Sequence, residues 1–390
     1  MIKSNLTLQE SANQIWDVIV VGAGPAGGLA SILLSRKNLK VLLVDRQTFP
    51  RAKVCGCCLN GNAIATLKDL NLLHILTNNN AIPLEQICLG SGKINHSFSL
   101  LKQLVISREC LDASLIEESQ NMGASFLDNT NAELGELHEN FREVILKKDN
   151  ISIVAKTKIV VAADGLGSRL VVRKNISSHL TSSNTRIGAG TTIDSPPEFY
   201  TTGKLFMGCS KGGYLGIVKL EDGRLDLAAA FDPASIKKHG SVSKFAKFLL
   251  LEMGWPVPIN LEFAPWRGTP SLTGNTQKIA TDRLFVIGDS AGYIEPFTGE
   301  GMAWAFSGAK FVAPLVAKAV ESWQPELINA WQNNHAEHIK NRQFICKAAA
   351  ILLRWPLLVK LVIIILKIFP SLSLPFIRML DKPSKATLSS

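Results

Sequence analysis

The sequence lacks any unbroken run of about twenty apolar residues, the length a membrane-crossing helix requires, and no such span is expected. It lacks a ladder of paired cysteines. Its seven cysteines are odd in number and irregular in spacing, which argues against a disulfide framework and for a reduced, cytoplasmic compartment. No basic region followed by an apolar region precedes the first apolar segment, so no signal peptide is expected. Lys and Arg give a formal net charge of +10, but they are scattered, and no basic run carries interleaved aromatics. Nucleic acid is therefore not expected as a partner. An anionic membrane surface or an anionic cofactor accounts for the excess more simply. There is no internal repeat and no low-complexity segment.

What is present is material for two lobes: 390 residues, 46% hydrophobic and 19% charged, enough to bury a sizeable core. Asp17 to Val21 is a short apolar run ending in glycines and reads as a buried parallel strand. Ala26 to Leu34 reads as a helix rich in small residues, and Lys40 to Asp45 as a second parallel strand, completing a βαβ unit. Between the first strand and the helix stands Gly22-Ala23-Gly24-Pro25-Ala26-Gly27, a G-x-G-x-x-G turn. Gly22 permits the tight turn, Gly24 lets a pyrophosphate approach the backbone, and Gly27 lets helix and strand pack closely. Free N–H groups at the helix N-terminus, including those of Pro25's successors Ala26 and Gly27, then face the phosphates. Asp45 closes the second strand, where a carboxylate can take ribose hydroxyls, with Arg46 beside it as a further cofactor contact.

That turn alone leaves FAD and NAD both open. Two later segments favour FAD. Val160 to Ala163 is a strand followed by Asp164-Gly165, and Phe285 to Ile287 is a strand followed by Gly288-Asp289. An Asp at a strand end can accept a hydrogen bond from a ribityl hydroxyl, with the glycine allowing close approach. Pro296, Gly299, Glu300 and Gly301 then open a helix at Met302. A helix N-terminus aimed at the flavin pyrimidine ring would stabilise negative charge on the reduced ring.

In this order the motifs resemble the flavoprotein superfamily that contains the aromatic hydroxylases and the geranylgeranyl reductases, over Asp17 to about Val320. The resemblance implies that Asp289 contacts the ribityl chain, that Gly299 to Met302 lie beside the isoalloxazine, and that Asp164 lies near the pyrophosphate and the nicotinamide route. It places Arg108 near the FAD phosphates. The turn Phe49 to Leu59 resembles the Lys-x-Cys-Gly segment of the geranylgeranyl reductases, through Lys53, Cys55 and Gly56, which implies contact with the flavin ring. Cys55, Cys57 and Cys58 also invite a metal or redox reading. The remaining cysteines are isolated, so no metal is expected. Cys55 and Cys58 have the spacing of a redox pair without its usual helical context. Small side chains passing close to the flavin are the preferred reading.

The resemblance also frames the reaction. No second G-x-G-x-x-G is present, so NAD(P)H, as electron donor, would dock transiently. A quinol, ferredoxin or flavodoxin donor stays open. Tyr214 occupies a position where the reductases carry Tyr, but Gly216 stands where they carry Trp, and Val218-Lys219 where they carry Phe-Pro. The W-x-W-x-I-P signature of the halogenases is missing. No histidine stands in a recognisable catalytic context. Cys55 and Tyr214 are the catalytic candidates.

The fold expected is α/β: a Rossmann-type FAD-binding domain (1–75, 101–180 and 276–340), an inserted antiparallel-sheet substrate domain (76–100 and 181–275), and a helical C-terminal segment (341–390). That last segment is apolar but broken by Pro356, Pro370 and Pro375 and interrupted by Arg354, Lys360, Lys367 and Arg378. It reads either as an interfacial helix resting on anionic lipid, a peripheral membrane contact, or as an apolar cap or dimer contact. Both suggest a lipophilic small-molecule substrate. The leading expectation is an NAD(P)H-using monooxygenase of a phenolic lipid or polyketide-like compound, with a water-poor pocket protecting the oxygen chemistry. The alternatives are a reductase of isoprenoid C=C bonds and a membrane-associated electron carrier.

Overall fold

The computed structural model describes residues 2–172, 179–181, 185–295, 297 and 299–372. Pro296 and the C-terminal stretch 373–390, with Pro375, Arg378 and the Lys/Ser/Thr-rich tail, lie outside the described residues.

The expected βαβ unit forms, with the strand Ile15–Val21, the helix Pro25–Ser35 and the strand Val41–Val44. Every residue of Val41–Val44 is buried, as a strand covered on both faces requires. The strand Ile151–Ala162 pairs in parallel with Ile15–Val21 and with Leu284–Val286, so the three strand ends carrying the glycine and aspartate turns lie side by side. Val41–Val44 and Ser125–Leu127 extend the sheet in parallel on the other side. The hairpin Asn131–Leu137 and Arg142–Lys148 joins it through Ile151–Ala162. The helices Pro25–Ser35, Arg108–Asn121 and Gly301–Glu321 pack together beside the sheet. Ser107 caps the second of these by accepting from Cys110 N at 3.1 Å.

A second sheet stands apart from the first. Its strand order is Arg267–Ser271, Ile187–Ile193, Leu225–Phe231, Gly213–Lys219, Lys204–Ser210, Ile82–Ser91, Ile94–Val105 and Cys58–Leu59. Its pairings are antiparallel except for Lys204–Ser210 against Ile82–Ser91. The helix Val242–Met253 covers one face through Phe245, Leu249 and Met253, packed on Phe206 and Phe231. The other face looks toward the first sheet's turns across a cavity. The strand Ile94–Val105 runs from the hairpin tip back to Cys58–Leu59, and so carries the cysteine turn on the edge of this sheet.

After Gly301–Glu321 the chain is helical, through Glu326–His335, a π-helical turn at Ala336–Lys340, Asn341–Leu352 and Pro356–Ile368. The last two are bent by 106°. Pro356 at the first position of the final helix supplies no N–H to the preceding turn and disfavours helical geometry at Trp355, which has φ −113 and ψ 87. No single described helix is long and apolar enough to cross a membrane, although the bent pair together has the length and composition.

Candidate FAD and substrate site

The glycine turn is built by exclusion. A Cβ on Gly22 would sit 2.2 Å from Ala163 O, and its φ of +104 is left-handed. A Cβ on Gly27 would sit 1.8 Å from Gly22 O, so the helix rests directly on the strand end. Gly24 is different. The nearest atoms to its Cβ position are Nη2 of Arg108 at 3.5 Å and Nη2 of Arg51 at 3.8 Å, with no backbone in the way. Gly24 is the N-cap of Pro25–Ser35 and no side chain caps that end. An uncapped helix N-terminus flanked by two guanidiniums suits an anionic pyrophosphate.

Those arginines are held from below. Arg108, which is 6% exposed, donates from Nε and Nη2 to the two oxygens of the fully buried Asp112 at 2.9 and 2.8 Å. Arg51 Nη1 lies 3.4 Å from the same carboxylate. Arg51 was not among the expected site residues. Its signal was available as a second cation, two residues before Lys53, in the turn that follows the acidic strand end. Asp45 accepts from Ala23 N at 2.7 Å with one oxygen and from Gln47 N at 2.9 Å with the other, which fixes its carboxylate beside the turn with lone pairs remaining for ribose hydroxyls. Arg46 is exposed.

A continuous cavity of about 930 Å³ runs from this turn toward the second sheet. Gly24, Pro25 and Ala26 line one end of it, with Lys53, Cys55, Gly56 and Arg108. Gly165, Asp289, Gly299, Gly301, Met302 and Tyr214 also line it, so most of the expected residues meet around one space. Asp164 and Gly288 stand behind the wall. The Asp164 carboxylate accepts from Ser168 Oγ at 2.6 Å and Arg169 N at 2.8 Å, capping the next turn. Ser290 Oγ bridges it, donating to Asp164 at 3.1 Å and accepting from Gly165 N at 2.8 Å. Glu300 is the N-cap residue of Gly301–Glu321 and is buried, so the helix opens at the cavity wall. Burial pushes the Asp289 carboxyl up, against the opposing pull of Lys53 and Arg108. Burial, reinforced by Arg108, pushes the Lys53 ammonium down.

The cysteine turn sits against this charge cluster. Its hydrogen bond with Cys57 and the Arg108 guanidinium hold the Cys55 thiol below its usual value, to about 6, although burial opposes them. Cys57 and Cys58 are pushed up, Cys57 chiefly by its bond with Cys55 and Cys58 chiefly by burial. All three are free thiols. Iodoacetamide at neutral pH is therefore expected to alkylate Cys55 well ahead of Cys57 and Cys58, and bound FAD is expected to slow it. Peptide mass spectrometry of protein labelled with and without cofactor reads this directly; equal labelling of the three would contradict the geometry.

The far end of the cavity is apolar. Ile87, Leu89, Met207 and Leu272 line it with Tyr214 and Phe297. The Tyr214 ring stands edge-on to Phe297 at 5.2 Å, with the Arg186 guanidinium 5.6 Å from its centroid. Its hydroxyl has no hydrogen-bond partner among the described residues, and burial pushes its pKa up, so it remains protonated. Arg186 is itself buried and pairs with Glu295 at 2.9 Å, a buried ion pair that the sequence reading did not register. The C-terminal helices close this end: Leu352, Leu353, Val359, Val362 and Leu366 all face the cavity. Of the two readings of that segment, the apolar cap is therefore occupied by its inner face.

Comparison with known proteins gives the family. Residues 16–341 match the family model described as an FAD binding domain. The chain is 25% identical over 338 residues to conditioned medium factor receptor 1 of Dictyostelium discoideum, covering 81% of this chain and 65% of that protein, so it spans less than two thirds of that relative's length. It is 25% identical over 363 residues to a digeranylgeranylglycerophospholipid reductase of Methanocaldococcus jannaschii, covering 86% of this chain and 88% of that one. Among solved structures, a triple mutant of the flavin-dependent brominase Bmp2 superimposes with a TM-score of 0.76 at 16% identity, over 94% of both chains. The chain thus belongs to the FAD-binding-domain family and is an FAD-dependent oxidoreductase.

Proposed function

We propose that the protein reduces carbon–carbon double bonds in a long, isoprenoid-like lipid. One observation carries this reading. The charged side chains lining the cavity among the described residues are Lys53, Arg108 and Asp289, all at the cofactor end, while the rest of the wall is uncharged and largely apolar. Hydroxylation of a phenol calls for a base near the reacting ring, and the apolar end carries none among the described residues. Alkene reduction calls for hydride, one proton and an apolar sheath. The named activity of the Methanocaldococcus relative supports the same class of substrate.

Gly22, Gly24, Ala26, Gly27, Arg51 and Arg108 would hold the FAD pyrophosphate, Asp45 the ribose, Asp289 the ribityl chain, and Gly299 to Met302 the ring. Bound FAD supplies the hydride after reduction, with NAD(P)H as a transiently docked donor. Tyr214 acts as a neutral donor toward the substrate, because its hydroxyl is protonated and has no hydrogen-bond partner among the described residues. The apolar walls exclude water from the reacting carbons. Residues 1–75, 101–180 and 276–340 form the cofactor domain in this reading, and 76–100 with 181–275 the substrate domain. The outer face of the C-terminal helices makes peripheral contact with lipid.

A second reading, oxygenation of a lipophilic phenol, is favoured by Gly216, which stands where the double-bond reductases carry Trp. An anaerobic incubation of the dithionite-reduced holoprotein with a geranylgeranyl lipid separates the two. The expected product gains pairs of hydrogens by mass spectrometry. No such gain without oxygen, together with oxygen incorporation into a long-chain phenol in air, would replace the first reading by the second.

A further inference from the structure

The cavity's outer wall is one helix thick. Val359 and Ile363 are 2% and 0% exposed and pack with Met207 and Tyr214. On the same helix Leu357, Leu361 and Ile368 are 79%, 52% and 63% exposed. The end of the preceding helix repeats the pattern, with its C-cap residue Leu353 turned to the cavity and Ile351 outward. Trp355, at the bend, is 62% exposed. A contiguous apolar face of this kind on a folded protein calls for a covering.

The charge around it names the occupant. No Asp or Glu occurs between Glu337 and Asp381, whereas Lys347, Arg354, Lys360 and Lys367 punctuate the apolar helices. An apolar face interrupted by cations and free of acids is the pattern of a helix bedded in an anionic leaflet. The bend in this wall is also tied to the cavity. Arg354 lies in the break between the two helices, 3.8 Å from Asp232, which lies 3.4 Å from the buried Arg186 and through it reaches Glu295, two residues before Phe297. An ion-pair chain thus ties the bend to the loop beside the substrate end of the cavity.

We propose that the bent C-terminal pair is a lateral portal: its outer face docks on an anionic lipid leaflet, and the lipid substrate passes from leaflet to cavity at the bend around Arg354 without crossing water. This rests on the lipid-substrate reading above and adds the source and the route.

The test uses the full-length holoprotein and vesicles of phosphatidylcholine with phosphatidylglycerol, some carrying brominated tails. Brominated lipid is expected to quench the fluorescence that Trp355→Phe removes, and omission of phosphatidylglycerol to weaken vesicle binding about tenfold. A geranylgeranyl lipid is then offered either in these vesicles or in nonionic detergent, and its arrival is read from the flavin absorbance. The Leu357→Glu/Leu361→Glu variant, on the outer face only, is expected to slow arrival from vesicles about tenfold or more. Its thermal midpoint, flavin spectrum and uptake from detergent are expected to stay as in the parent. Unchanged uptake from vesicles by the variant, or no bromine quenching of Trp355, overturns the portal alone. No spectral change with either presentation overturns the lipid-substrate reading and the portal with it. A dimer that the same variant dissociates, without vesicle binding, would assign the face to a second copy of the chain and overturn the proposal.

Discussion

Gly27→Ala is expected to purify colourless and to unfold at a clearly lower temperature than the parent. The added methyl would lie 1.8 Å from Gly22 O, a backbone atom in a turn that is itself pressed against Ala163. No flexible side chain is there to yield, so the helix Pro25–Ser35 must move off the strand, and its neighbours Arg108–Asn121 and Gly301–Glu321 with it. Overpacking of this kind costs about 3 kcal/mol. The uncapped N–H groups would leave their place between Arg51 and Arg108, which removes the anion site as well. Gly56→Ala is the control. It lines the same cavity but has nothing within 4 Å of its Cβ position, so its midpoint should match the parent. Thermal unfolding with flavin absorbance on the purified proteins measures both effects. Wild-type FAD content in Gly27→Ala would mean that the close packing does not set the cofactor site.

The second large effect is expected at Arg108. Its replacement by Ala leaves the Asp112 carboxylate, 0% exposed, without its bidentate partner. Breaking a buried pair from one side costs about 3–5 kcal/mol, and Arg51 at 3.4 Å should hold the loss near the lower end. FAD affinity should fall as well, since Arg108 lines the cavity beside Gly24. A double variant separates the two roles. Arg108→Ala with Asp112→Asn removes the stranded charge and should recover most of the stability in denaturant titration, while FAD binding stays weak. Recovery of both together would reduce Arg108 to a purely structural residue.

The parts of the fold that were legible in the sequence are those where one physical demand dominates. Val18 to Val21 and Val160 to Ala162 are continuous apolar runs because parallel strands are buried on both faces, and both are strands. The helix expected to open at Met302 is observed as Gly301–Glu321. The antiparallel strands expected within 181–275 are observed, among them Gly213–Lys219 paired with Leu225–Phe231. The strands Ile82–Ser91 and Ile94–Val105 were not legible. They mix Pro83, Glu85, Gln86 and His96 with apolar residues, since much of one face is solvent-exposed, and their pairing with each other and with Lys204–Ser210 and Cys58–Leu59 defines them. At the site, glycines and aspartates at strand ends were visible because turn geometry restricts the residue type. The Arg186–Glu295 pair was not, because the two partners lie far apart along the chain and no local pattern announces them, whereas Arg51 had a local signal beside Lys53 but showed its role only through the distant Asp112.

Ser290 carries a consequence beyond its own turn. Its hydroxyl touches Asp164 and Gly165, while its carbonyl accepts from Thr276 Oγ1 at 2.7 Å. The two turns that follow the parallel strands are separated by more than a hundred residues but share one pin. Loading the cofactor against Asp289 should therefore slow amide exchange at Gly165 in step with exchange at the Ser290 turn. The two segments would tighten as a single cooperative unit, so a chain nicked between them could still assemble the site from its two pieces.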